Sequence, residues 1–220
     1  MPARQRVWDL PTRLTHWLFV AGVAFSWWSA EQGHMQWHVW SGLTLLGLLA
    51  FRIYWGFAGP ETARFAQFVK GPAAVLGYLG KLFHADYRAA FGHNPLGALS
   101  VIAILLALAI QVGLGLFATD TSYVASGPLN HLVDSDMADA ITDFHEDFFD
   151  ALLVLICLHI AAIIFYLVAR RTNLIGPMLT GRRRAENVEG PPAGIAPVPL
   201  WRLPIGVALG AGAVWLVTAL

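Results

Sequence analysis

Residues Asp143–Arg171 read DFHEDFFDALLVLICLHIAAIIFYLVARR. The run is built mostly of Leu, Ile, Val, Ala and Phe and closes on two arginines, so it predicts a long helix in an apolar medium. Two imidazoles interrupt it, His145 and His159. Ionisable side chains are costly inside a membrane span, and each one marks a functional candidate. Their separation of 14 residues falls about 40° short of four full turns, which puts both on one face, about 21 Å apart in depth.

The rest of the chain supplies the medium. Of 220 residues, 57% are hydrophobic and 13% charged, with a mean hydropathy of +0.58, the composition of a bilayer protein. Runs near the length needed to cross about 30 Å of hydrocarbon occur at Thr12–Ala30, His38–Ala58, Pro95–Ala118 and Ile141–Ala169. They predict an all-α membrane protein with a four-helix transmembrane bundle over residues 1–181. A polar, proline-rich linker over 182–202 then leads to a fifth, peripheral transmembrane helix over 203–220. Arg13 and His16 break the first apolar run where a cleavable leader would need an uncharged core, so that segment is expected to stay in the mature chain. The single cysteine, Cys157, offers no CxxC, zinc or haem-attachment signature. No repeat and no basic patch of the nucleic-acid type is present.

Charge orients the spans. All 14 Lys and Arg fall on one side: at Arg4, Arg6 and Arg13, from Arg52 to Arg88, and from Arg170 to Arg202. The positive-inside rule makes that side cytoplasmic, with the N-terminus inside. The opposite connections, EQGHMQW and DTSYVASGPLNHLVDSDMADAITDF, hold no Lys or Arg. With the start of the fourth helix they carry nine of the 14 acidic residues, among them Asp134, Asp136 and Asp139. Some of these acids complement a helix dipole; as a group they can steer a positively charged partner.

Topology then pairs the histidines by depth. His38 enters the second helix from outside and meets His145; His16 lies near the inner face and meets His159. Two imidazoles facing each other across a bundle interior, with no Cys, Asp or Glu beside them within the span, suit a bis-His iron porphyrin better than zinc or a di-iron centre. The third helix has no histidine and is expected to supply only packing. Arg52, 14 residues after His38, reaches the inner depth and is a candidate partner for a haem propionate, with Arg13 a second one. Gly22, Gly42, Gly47, Gly113 and Gly115 are candidates for passing a flat ring close to a helix, or for close helix packing. His34, His84, His93 and His131 are expected in solvated loops.

These residues resemble the bacterial di-haem cytochrome b561 family and the related b-type cytochrome subunits of nickel-iron hydrogenases. The resemblance rests on His16-Trp17, on His38 with Gly42 and Arg52, on GHNPLG, on FHEDFF with CLHIAA, and on NLIGPMLTG, and it covers Val7 to Gly181. It implies two non-covalent b haems on His16, His38, His145 and His159. It also implies a bacterial inner-membrane protein that moves electrons between the quinone pool and a partner, here a basic periplasmic c-type cytochrome. Other readings are a membrane anchor and electron acceptor for a hydrogenase or other periplasmic dehydrogenase, and a superoxide:quinone oxidoreductase, whose anionic substrate the acidic face would repel. A transporter with a histidine relay lacks the expected inverted repeat.

Overall fold

Asp9 starts the first helix, its carboxylate accepting from the Thr12 N–H at 3.4 Å. Pro11 follows in the first turn, where a missing N–H costs nothing. Helix α1 (Leu10–Glu31) ends at a turn in which Gly33 adopts φ +70°, and the chain reverses into α2 (Met35–Ala58). The positive φ is open to glycine at no steric cost. The computed structural model describes residues 4–84, 89–120, 125–184, 188–189 and 195–220.

Two short helices, α3 (Phe65–Phe68) and α4 (Pro72–Leu82), and a strand, β2 (Ala89–Ala90), lead to α5 (Pro95–Gly115). Asn94 caps α5 by accepting from the Gly97 N–H at 2.8 Å. Helix α6 (Ser135–Val168) is capped by Asp134, which accepts from the Met137 N–H at 2.9 Å. A short α7 (Ile175–Thr180) and a C-terminal α8 (Arg202–Ala219) complete the helices. Helix α1 packs on α2, α5 on α6, and α2 on α5.

The bundle centre is a cluster of Leu45 and Leu49 from α2, Ala107, Leu108 and Val112 from α5, and Leu152 from α6, with Phe19 and Val23 of α1 against it. Large apolar side chains also face outward along the helices; Phe57 and Val168 are each 71% exposed. A surface of that kind is stable only against hydrocarbon. Helices α2, α5, α6 and α8 are each long and apolar enough to cross a membrane. Helix α1 has the length, but Thr12, Arg13, Thr15, His16, Ser26 and Ser29 make it more polar.

The bundle class matches the expectation, and several details differ. Helix α6 has 34 residues, about 51 Å at 1.5 Å per residue, and begins six residues before Ile141. Asp134, Asp136 and Asp139 therefore sit on its first turns and cap, not in a loop. The fifth helix is docked at the bundle's edge: α8 lies along α2, with Gly206 against the Phe51 and Tyr54 rings and Gly210 against the Gly47 backbone. A Cβ at Gly210 would stand 2.7 Å from the Gly47 carbonyl oxygen, so small residues set this approach. Arg202 donates to the Ala58 carbonyl at 2.8 Å and closes the end of α2.

The expected linker also opens with structure. Strand β1 (Arg4–Arg6) pairs antiparallel with β3 (Arg182–Arg184), and β2 pairs parallel with β4 (Val188–Glu189). Arg88 and most of the remaining linker, 185–187 and 190–194, lie outside the described residues.

Candidate functional site

His38 and His145 come together near the start of α2 and within α6. Their ring centroids are 6.0 Å apart and the rings are perpendicular. A metal–imidazole bond of about 2 Å places each ring centroid about 3 Å from the metal, so two imidazoles on opposite sides of one ion stand about 6 Å apart. The pair already has that spacing.

Each ring is hung from a backbone carbonyl. His38 Nδ1 lies 2.9 Å from the Ser26 carbonyl of α1, and His145 Nδ1 lies 3.0 Å from the Gln111 carbonyl of α5. A carbonyl only accepts, so both Nδ1 atoms carry the proton and each Nε2 keeps its lone pair; that of His145 lies 3.3 Å from the Gln111 side-chain amide nitrogen. The Gln111 side chain donates in turn to the His145 carbonyl at 2.8 Å. Gly115 leaves room for the ring, since a Cβ there would stand 3.0 Å from His145 Cε1.

Around the pair opens a cavity of about 430 Å³, lined by residues of α1, α2, α5, α6 and of segments 116–120 and 125–128. Gly42 and Gly115 are on its wall, and nothing lies within 4 Å of a Cβ built at Gly42. Gly22 is a packing glycine, its absent Cβ replaced by Leu45 at 2.8 Å. Gly113 has open space beside it and does not line the cavity. Gly47 serves the contact with α8.

At the other end His159 Nδ1 meets the Ser100 hydroxyl at 3.2 Å. His16 stacks edge-on against Trp17, and its Nδ1 is buried without a partner. The two rings are not in contact, but they are close enough to interact electrostatically. Arg52 is only 6% exposed and one terminal guanidinium nitrogen has no partner. Its guanidinium carbon lies 5.0 Å over the Phe65 ring, and it feels the charge of Asp9, which accepts from Trp55 Nε1 at 2.9 Å. Arg13 donates to the Leu179 carbonyl, which ties α1 to α7.

Two groups in this region escaped the sequence reading. His93 is not a solvated loop histidine: it lies 4.7 Å from the Trp8 ring and 4.3 Å from Phe68, and its Nδ1 is sealed from solvent. Burial pushes it down to about 3, the Arg52 charge adds to that, and a Thr62 backbone contact opposes it. It also interacts with His16 and His159. Helix α5 does more than pack, since Ser100 and Gln111 orient histidines of α6. They are the polar side chains of an otherwise aliphatic helix, and their spacing of 11 residues keeps them within about 20° of one face. That pattern was available in the sequence.

Among the described residues no group of three or more His, Cys, Asp or Glu can hold an ion by itself. Paired imidazoles suit a metal that brings its own equatorial ligands, and haem iron is one. The outer pair fits that group through its spacing, carbonyl-held tautomers and flanking cavity. At the inner end the fit is to an anionic group alone: Arg52 is buried, cationic and has a terminal guanidinium nitrogen without an acceptor. Helices of this kind around paired imidazoles define a haem-binding membrane bundle. The sequence model of the prokaryotic cytochrome b561 family matches residues 7–181, and the chain belongs to that family. It is thus a multi-pass, b-type cytochrome for electron transfer in a membrane. No curated protein and no solved structure matched it.

Proposed function

We propose that the protein carries two b haems and moves electrons between the quinone pool and an electron carrier on the opposite face. His38 and His145 hold the outer haem, and His16 and His159 the inner one, over the 1–181 unit. The observation that carries this reading is the 6.0 Å perpendicular approach of His38 and His145, each already fixed by a carbonyl. Haem iron supplies the reversible one-electron chemistry. The chain's part is to fix the imidazoles, exclude water and set two sites at different depths. Arg52, with its unpartnered guanidinium nitrogen, receives a propionate of the inner haem, and His93 stands beside it as a neutral donor.

Arginine excess on the β1–β3 side makes that side cytoplasmic in a bacterial inner membrane. Haem held at either pair would supply the one-electron exchange with quinol or quinone. The carrier is a basic periplasmic c-type cytochrome, drawn to the acids of α6 by long-range attraction. Stopped-flow exchange between the quinol-reduced protein and such a cytochrome tests the scheme. The rate should fall as salt rises and the Debye length shrinks from about 30 Å at 0.01 M to about 10 Å at 0.1 M. Asp136→Asn with Asp139→Asn should slow association and leave both haem spectra unchanged. A rate indifferent to salt and to both substitutions favours a permanently bound dehydrogenase as the partner instead.

A further inference from the structure

The β1–β3 ribbon sets arginine against arginine. Its register is Arg4 opposite Arg184, Gln5 opposite Arg183 and Arg6 opposite Arg182. Side chains alternate along a strand, so Arg4, Arg6, Arg182 and Arg184 share one face. All four are exposed, whereas Gln5 and Arg183 on the other face are half-buried. Arg183 reaches the Ala90 carbonyl at 2.7 Å, so its face is turned toward the protein. Residues directly opposite in a ribbon stand about 5 Å apart at Cβ, and like charges there are destabilising. Among the described residues, none of the four exposed arginines has a carboxylate or hydrogen-bond partner for its side chain.

The ribbon nevertheless forms, and the chain holds it firmly. The Val7 and Trp8 N–H groups both donate to the Gly181 carbonyl, at 2.9 and 3.2 Å, and the Ile195 N–H donates to the Arg6 carbonyl at 3.0 Å. Exposed apolar side chains flank it on both strands. Leu10 is 58% exposed and Leu14 53% just after β1; Ile175 is 41% exposed and Leu179 59% just before β3. In a membrane protein such side chains belong in hydrocarbon, which puts the arginine face a few residues farther out, at headgroup depth.

We propose that the Arg4, Arg6, Arg182 and Arg184 face is a binding site for the phosphate groups of acidic phospholipids. Phosphate accepts the forked guanidinium donors and cancels the cross-strand repulsion. The acyl chains of the same lipid cover Leu10, Leu14 and Leu179. Bound lipid also steadies the segment carrying Trp8, whose ring packs on His93 at the inner site.

Thermal unfolding of the full holoprotein in nanodiscs of phosphatidylcholine, with and without cardiolipin, tests this. Native mass spectrometry of the wild type gives a readout that needs no variant. The wild type should be stabilised by cardiolipin saturably and should retain cardiolipin over phosphatidylcholine. Replacing the four arginines by Gln should weaken retention by about fivefold per arginine removed. In phosphatidylcholine alone that variant should be at least as stable as the wild type, because repulsion is relieved. Lys70→Gln with Lys81→Gln, a control on the same side, should leave the cardiolipin response intact. If the Gln variant does not fold, Arg4→Lys with Arg6→Lys should keep the charge and weaken retention, since the fork is lost. The proposal is overturned if the wild type shows no preference, if the lysine control loses the response equally, or if free inorganic phosphate at matched concentration reproduces the stabilisation.

Discussion

Gly115 and His145 show how little room the outer site leaves. With Cβ only 3.0 Å from His145 Cε1, Gly115→Ala should push the imidazole off its line to His38. The expected result is loss or spectral shift of one haem with the other unchanged, seen in low-temperature α-band spectra. His93 gives a prediction in pH. Its folded value is held at about 3 against an ordinary 6.5, so between those values the unfolded chain binds a proton that the folded chain refuses. Stability from this group is complete above pH 6.5 and is lost as pH falls toward 3. His93→Gln should flatten that part of the acid-unfolding curve relative to wild type. The approach of His38 and His145 was legible because a charged-type side chain inside an apolar run stands out. His93 was not, since its burial comes from Trp8 and Phe68, which no local pattern links to it.

At the level of elements, helix caps and small-residue contacts separate stability from electron transfer. Asp134 caps α6, so Asp134→Ala should cost about 1 kcal/mol of stability, whereas Asp136→Asn and Asp139→Asn act only through charge. Gly210→Val would drive a side chain into the Gly47 carbonyl, and overpacking of this sort costs about 1–3 kcal/mol. The thermal midpoint should drop while both haem spectra stay as in wild type, because α8 touches α2 on the side away from His38 and His145. Span positions were readable from run length and hydropathy, which depend on composition alone. The docking of α8 depends on Gly210 meeting Gly47 and Gly206 meeting Phe51 and Tyr54, a match between distant segments. The arginine ribbon was unreadable for a stronger reason: strand pairing of like charges opposes the local rule.

The whole molecule is a membrane bundle with two polar ends of opposite charge. One end gathers His16, His159, His93 and Arg52 beneath the arginine ribbon; the other opens a cavity around His38 and His145 below the acids of α6. About 21 Å of helix separates His145 from His159, so on the proposed reading the same α6 would present one imidazole to each haem. That division is the central claim, and the haem-to-polypeptide ratio tests it most directly. A pyridine haemochrome assay on purified protein should return two b haems per chain for the wild type. His38→Ala and His145→Ala should each return one, with the same remaining haem by redox titration, and His16→Ala and His159→Ala should each return one, with the other haem remaining. A wild type holding one haem, or a His16→Ala variant that keeps the same haem as His159→Ala loses, would contradict it.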